Sequence, residues 1–145
     1  LYDGTNSEWK MLGVAPGAAI AVAYAAGTFT ASGSLTWTVE SADQEVFTYS
    51  QVGKYINVAL AITSTSTSGS ASDELRVALP NSFSFTKRVI WATRTADAGT
   101  YAVGLVDCNT TRVGFFNAIS GSTNWSASAS NNTHMWANVP MMEVD

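Results

Sequence analysis

Charge is what this chain has least of. Of its 145 residues, 12% are Asp, Glu, Lys or Arg, about half the usual share of a globular protein. Helix surfaces are normally built from Glu, Lys, Arg and Gln, so a helical cytosolic enzyme is a poor fit. The seven basic residues are scattered and outnumbered by eleven acidic ones. A nucleic-acid surface needs clustered cations to release counterions, so nucleic acid is not an expected partner. The nearest thing to a basic patch, Lys87, Arg88 and Arg94, reads as an exposed strand face. One cysteine, Cys108, permits no intrachain disulfide and leaves the redox compartment open. One histidine, His134, cannot supply a His-rich metal site. The apolar stretch Ala18 to Ala26 is too short to span a bilayer. It also lacks the basic flank and the N-terminal position of a signal peptide, so no membrane insertion is expected. The chain opens at Leu1 rather than Met, which reads as a fragment or a processed product.

What is present is apolar and hydroxylic. Apolar residues make up 46%, enough at this length for one domain with a real core and no disulfide or metal to staple it. The run Phe47 to Pro80 is the most informative. Ile56, Val58, Leu60 and Ile62 alternate with Tyr55, Asn57, Ala59 and Ala61, the pattern of a strand with one greasy face. The Ser/Thr/Gly tract Ser64–Ser72 reads as a solvated loop, after which Leu75, Val77 and Leu79 alternate again up to Pro80. Strands are expected near 18–25, 34–40, 45–50, 54–63, 73–79, 83–92, 100–107, 112–117 and 134–143, punctuated by glycines. Leu35, Trp37 and Val39 alternate, as do Phe83 and Phe85, and Tyr101, Val103 and Leu105. No segment carries a convincing helical pattern, and no solenoid-length repeat appears. The expected fold is all-β: an antiparallel β-sandwich, jelly-roll-like, over residues 18–145. Residues 1–17, broken by Gly13, Pro16 and Gly17, read as a connector from a preceding stem or domain.

The search for chemistry turns up little. Nothing brings His134 to Cys108 or to a serine, so it reads as a structural or surface histidine. Cys108 follows Asp107, whose charge raises a thiol pKa, so it reads as a buried inert thiol. Glu40, Asp43 and Glu45 gather at one turn and Asp73–Glu74 at another. Paired carboxylates can cleave glycosidic bonds or hold calcium. Their spacing matches no calcium loop, however, and acids beside turns are usually solvated caps. No catalytic residue, metal or cofactor is expected.

The aromatics are the set most open to a functional reading. Five Trp, five Tyr and six Phe are present. Trp37, Trp91 and Trp136 read as core or subunit-interface residues. Trp125 lies in the Ser/Asn-rich stretch GSTNWSASASNNTHMW, whose composition suits sugar binding: an aromatic face for C–H groups, with amides and hydroxyls around it. The candidate glycan contacts are Trp125, Asn124 and Asn131. The glycosylation sequons at Asn109, Asn124 and Asn131 matter only in a eukaryotic secretory setting.

The opening YDGTNSEWKMLG resembles a segment found where stem meets head in tail-fibre and other virion-appendage proteins of tailed bacteriophages. The stretch from Tyr49 through Gly53 and Tyr55 to Leu79–Pro80 is similar to head domains of such proteins, and the closing MMEVD suits a free C-terminus after a strand. The resemblance implies a non-catalytic structural virion domain, extracellular on the particle and homotrimeric. It would contact other virion proteins and bind host-surface polysaccharide. A carbohydrate-binding module of a secreted bacterial protein, a capsid decoration protein and a glycan-cleaving enzyme remain as alternatives.

Overall fold

The structure, a computed structural model, describes residues 17–145 and the backbone pairing of Tyr2–Asp3 (β1) with Glu8–Trp9 (β2). The expected connector therefore falls, apart from Gly17 and this short pairing, outside the described residues. The other strands are Ile20–Ala21 (β3), Phe29–Ala31 (β4), Leu35–Thr38 (β5), Gln44–Val52 (β6), Tyr55–Gly69 (β7), Glu74–Ala78 (β8), Val89–Asp97 (β9), Thr100–Asn109 (β10), Arg112–Phe116 (β11) and Ser128–Glu143 (β12). Two short 3-10 turns, Ala26–Thr28 and Pro80–Ser82, join them. Among the described residues no helix is long and apolar enough to cross a membrane.

The fold is all-β and antiparallel, as the alternation predicts. Strands β3 to β12 form one hydrogen-bonded sheet in the order β3-β6-β7-β12-β9-β10-β11-β8-β4, with β5 also paired to β7. One edge of β7 is shared: β6 pairs with its Tyr55–Ile62 half and β5 with its Ser66–Gly69 half. Because β4 runs into β5 through Ser32–Ser34, the path that leaves β7 through β12 returns to β7 through β5. The sheet curls on itself. The corner is pinned by Ser32, whose N–H donates to the Glu74 carbonyl and whose hydroxyl bonds Asp73 Oδ1 at 2.7 Å.

The core lies inside the curl and is a single cluster. Ile56, Val58, Leu60 and Ile62 of β7 meet Leu75 and Val77 of β8, with Leu79 beyond, although β7 and β8 are not neighbours in the sheet. Leu35, Trp37 and Val39 join them as their alternation predicts. Each such side chain contributes roughly 1.5–3 kcal/mol on burial. Phe85 is also in the core and Phe83 packs against it, but both sit in the connection before β9, which begins at Val89 and runs to Asp97 rather than covering 83–92.

The Ser/Thr tract is not a loop over its first half. β7 continues to Gly69, with Thr63, Thr65 and Thr67 buried and Ser64 and Ser68 exposed. Beyond the irregularity at Thr63–Ser64, the β-branched Thr65 and Thr67 are buried and Ser68 is exposed, which is period-two patterning written in hydroxylic residues. Inside, the hydroxyls are used: the Trp37 indole N–H donates to Thr65 Oγ1 at 2.9 Å, and Thr65 Oγ1 donates to the Thr133 carbonyl at 2.9 Å. Thr67 Oγ1 donates to the Ser126 carbonyl at 2.6 Å and accepts from the Ser128 N–H at 3.0 Å.

Candidate functional site

Trp125 does not face solvent. Its relative exposure is 0%, its indole N–H donates to the Phe115 carbonyl at 3.0 Å, and its backbone N–H donates to the Ser72 carbonyl at 2.7 Å. A ring enclosed on both faces cannot receive a sugar, so the glycan contact expected at Trp125 is withdrawn. The residue is instead the anchor that fastens its loop to the core. Large aromatic area and a satisfied indole N–H favour that position over exposure. Asn124 is exposed beside it, and Asn131 is exposed within an excursion of β12, where Ala129–Asn132 bulge out between the Ser128–Thr67 and Thr133–Thr65 pairs. No hydrogen bond among the described residues joins Asn124, Trp125 and Asn131 into one site.

The loop that Trp125 fastens does roof a cleft of about 420 Å³, lined by Asp97, Thr100, Asn117, Thr123 and Ser126 with three alanines. Asp97 Oδ2 accepts from Asn117 Nδ2 at 3.0 Å and from Ser126 Oγ at 2.9 Å. The Ser126 N–H donates to Asp97 Oδ1 at 3.0 Å. The carboxylate is thus spent on holding the loop. The cleft has no aromatic wall.

The aromatic surface lies on the outside of the curl. Register places Tyr101 opposite Ala96 on β9, and Ala96 opposite His134 on β12. On β12, His134 and Trp136 share the outer face, while Met135, Ala137 and Val139 enter the core. The three rings are nearly parallel. Tyr101 and His134 centroids are 6.3 Å apart at 13°, His134 and Trp136 5.9 Å at 15°, and Tyr101 and Trp136 6.4 Å at 25°. The Arg94 guanidinium carbon lies 4.3 Å from the Tyr101 centroid and 5.0 Å from that of Trp136, within cation–π range of both. Tyr101 is 57% exposed, and Val103, next along the same face, is 56% exposed.

Local backbone features set this array. Two residues of β7, Thr63 and Ser64, oppose His134 alone, a bulge in which Ser64 takes φ +59°. That turns the Ser64 N–H onto His134 Nδ1 at 2.9 Å, so Nδ1 acts as an acceptor and the ring is fixed in place. The Trp136 backbone is held from β9 by the Thr93 hydroxyl, which donates to its carbonyl. Bulges of this kind re-aim side chains.

Trp136 is therefore half-buried on the outer face, not a core residue, whereas Trp37 is core and Trp91 packs against it. The Tyr101–Val103–Leu105 face also points outward; the inward side of β10 is Val106 and Cys108. Sequence reading missed the site because its members lie on three strands. The usable signal was the spacing of His134 and Trp136, two apart on one strand face with Met135 between them.

The remaining titratable groups are structural. Glu74 is a buried carboxylate rather than a solvated cap: Arg76 Nε reaches it at 2.7 Å and Arg112 Nε at 3.0 Å. It fits because Gly114 faces it; a Cβ there would run into the carboxylate. Asp107 is held by Arg88 Nε at 2.9 Å and Nη2 at 2.7 Å. Those hydrogen bonds, and then the charge of Asp107, raise the Arg88 pKa further. Asp43 does behave as a turn cap, its Oδ2 accepting the Glu40 N–H at 2.8 Å. Cys108 is fully buried, and its thiol is pushed up to about 12, by burial first and by Asp107 second. Among the described residues no group of His, Cys, Asp and Glu could hold a metal ion.

Comparison of the chain with protein-family models, curated proteins and solved structures finds no match.

Proposed function

We propose that this is a non-catalytic domain that binds surface glycan through the outer array of Tyr101, His134 and Trp136 beneath Arg94. The observation that carries the reading is the array itself: near-parallel rings gathered from two strands on the outer face, held in place by a bulge and by backbone hydrogen bonds. Sugars offer apolar C–H faces to such rings, and the Asn57–Asn138 amide pair on the adjoining strands offers polar contacts. The non-catalytic part is supported by the state of the obvious reactive groups. Cys108 is buried and neutral, the Nδ1 of His134 is occupied, and Glu74 and Asp107 are locked in ion pairs.

The setting we propose is a virion appendage of the tail-fibre kind, where the domain is homotrimeric, extracellular and joined to other virion proteins. Its support is the likeness of the opening segment and of the Tyr49–Gly53–Tyr55 stretch. Two of these residues have clear work in the fold. Gly53, at φ +59°, begins the two-residue turn between β6 and β7, and Tyr49 accepts a hydrogen bond from Asn81 at 2.6 Å. Exposed Val52, Tyr55, Val89 and Met141 supply apolar surface that self-association would cover. Three copies would raise a weak single-site affinity through avidity.

The test is adsorption of the labelled domain to a panel of bacterial strains. Trp136→Ala and Tyr101→Ala are each expected to abolish it while circular dichroism and melting stay near wild type. Unchanged adsorption by both variants would refute the assignment.

A further inference from the structure

We infer that the ligand of this surface is an acidic glycan, one whose sugar residues carry carboxylates, and that Arg94 is the residue that selects it. The inference rests on the glycan reading above and adds the chemical class. Among the described residues the other arginines are committed: Arg76 and Arg112 to Glu74, and Arg88 to Asp107. Arg94 is exposed and has no carboxylate partner there. Its guanidinium is spread instead over Tyr101 and Trp136.

Arg94 makes no side-chain hydrogen bond or ion pair among the described residues, and a guanidinium laid face-on against a ring keeps its in-plane N–H donors free. It also holds the group still and strips water from one side. A planar fork, oriented and half-desolvated, with unused donors, is what bidentate recognition of a carboxylate requires. A neutral sugar would need only bare ring faces, and here two of the three rings already lie under a cation. Ala92, which is exposed, and Ala96, which is fully buried, flank Arg94 on the same face of β9, and Ala61 stands opposite Trp136.

Single-stranded nucleic acid could in principle use the same stacking and the same arginine. A chain of net charge −4 with one arginine uncommitted among the described residues offers too little phosphate neutralisation for that to be favoured. The same net charge means that long-range attraction does not draw a polyanion in, so selectivity has to come from the local contact.

The experiment is calorimetric titration of the whole chain with bacterial surface oligosaccharides in matched pairs, each uronate-containing chain beside its carboxyl-reduced counterpart, and with a single-stranded oligonucleotide. The variants are Arg94→Gln, Arg94→Lys and Trp136→Ala. The acidic member of a pair is expected to bind at least about tenfold tighter than the reduced one. Arg94→Gln should bring the acidic chain down to the affinity of the neutral one, Arg94→Lys should recover only part of the difference, and Trp136→Ala should lose both. Equal binding within pairs, unmoved by Arg94→Gln, would overturn the acidic class and leave the glycan reading standing. Silence towards every glycan would overturn the glycan reading and this inference with it. Binding of the oligonucleotide alone, through Arg94 and Trp136, would replace both with a nucleic-acid surface.

Discussion

Trp125 and Trp136 show how much a single residue's position decides. The first is enclosed, with both its indole and its backbone N–H satisfied; the second stands half outside, against a histidine and under an arginine. Trp125→Ala is expected to destabilise the domain by about 3–5 kcal/mol, since it removes a fully buried ring and leaves a cavity. Denaturant unfolding measures that loss, and a near-wild-type midpoint would mean the ring is not core. Cys108 gives a second prediction at this scale. Its ordinary value of 9.0 is raised to about 12 in the fold, so the folded state keeps a proton that the unfolded state releases. Stability from this group is intact below about pH 9 and declines as the pH rises from there towards 12. Iodoacetamide at pH 8 should leave the native thiol unmodified and alkylate it once the chain is unfolded. Rapid native alkylation would contradict the burial.

At the scale of elements, the second half of β7 is the instructive case. Its first half was legible because Ile, Val and Leu mark the inward face. Its second half was not, because Thr65 and Thr67 count as polar in any reading of hydrophobic alternation. What settles them inside is partnership: Thr65 bonds Trp37 and Thr133, and Thr67 bonds Ser126 and Ser128. Thr65→Val keeps the shape and removes the hydroxyl, leaving the Trp37 N–H buried without an acceptor. A cost of about 1–3 kcal/mol is expected, read as a lower denaturation midpoint with an unchanged slope. A variant as stable as wild type would show that water replaces the bond. Pro140 follows the same logic. Two residues, Pro140 and Met141, oppose Asn57 alone in a bulge of β12, where the missing proline N–H breaks no ladder.

For the whole molecule, class and handed-down patterning were readable and closure was not. Alternation identified most of the strands and the inward faces of β5, β7 and β8. It did not show that β4 and β5 carry the sheet back to β7, because that depends on pairings between residues far apart in the chain. The outer array shares this origin, since β9, β10 and β12 each contribute one part of it. Assembly is a separate property at this scale. With apolar Val52, Tyr55, Val89 and Met141 exposed, solution mass at micromolar concentration is expected at three times the 15.3 kDa of the chain; a clean monomer would count against the trimer.

The central claim is that sugar meets the protein at the outer rings and not at the Ser/Asn-rich loop. The indole N–H resonances of the tryptophans separate the two surfaces within one sample. On titration with a bound oligosaccharide, the Trp136 signal should shift together with the ring signals of Tyr101 and His134, while the buried Trp125 signal stays where it is. Movement of Trp125 with Trp136 unmoved would contradict the account.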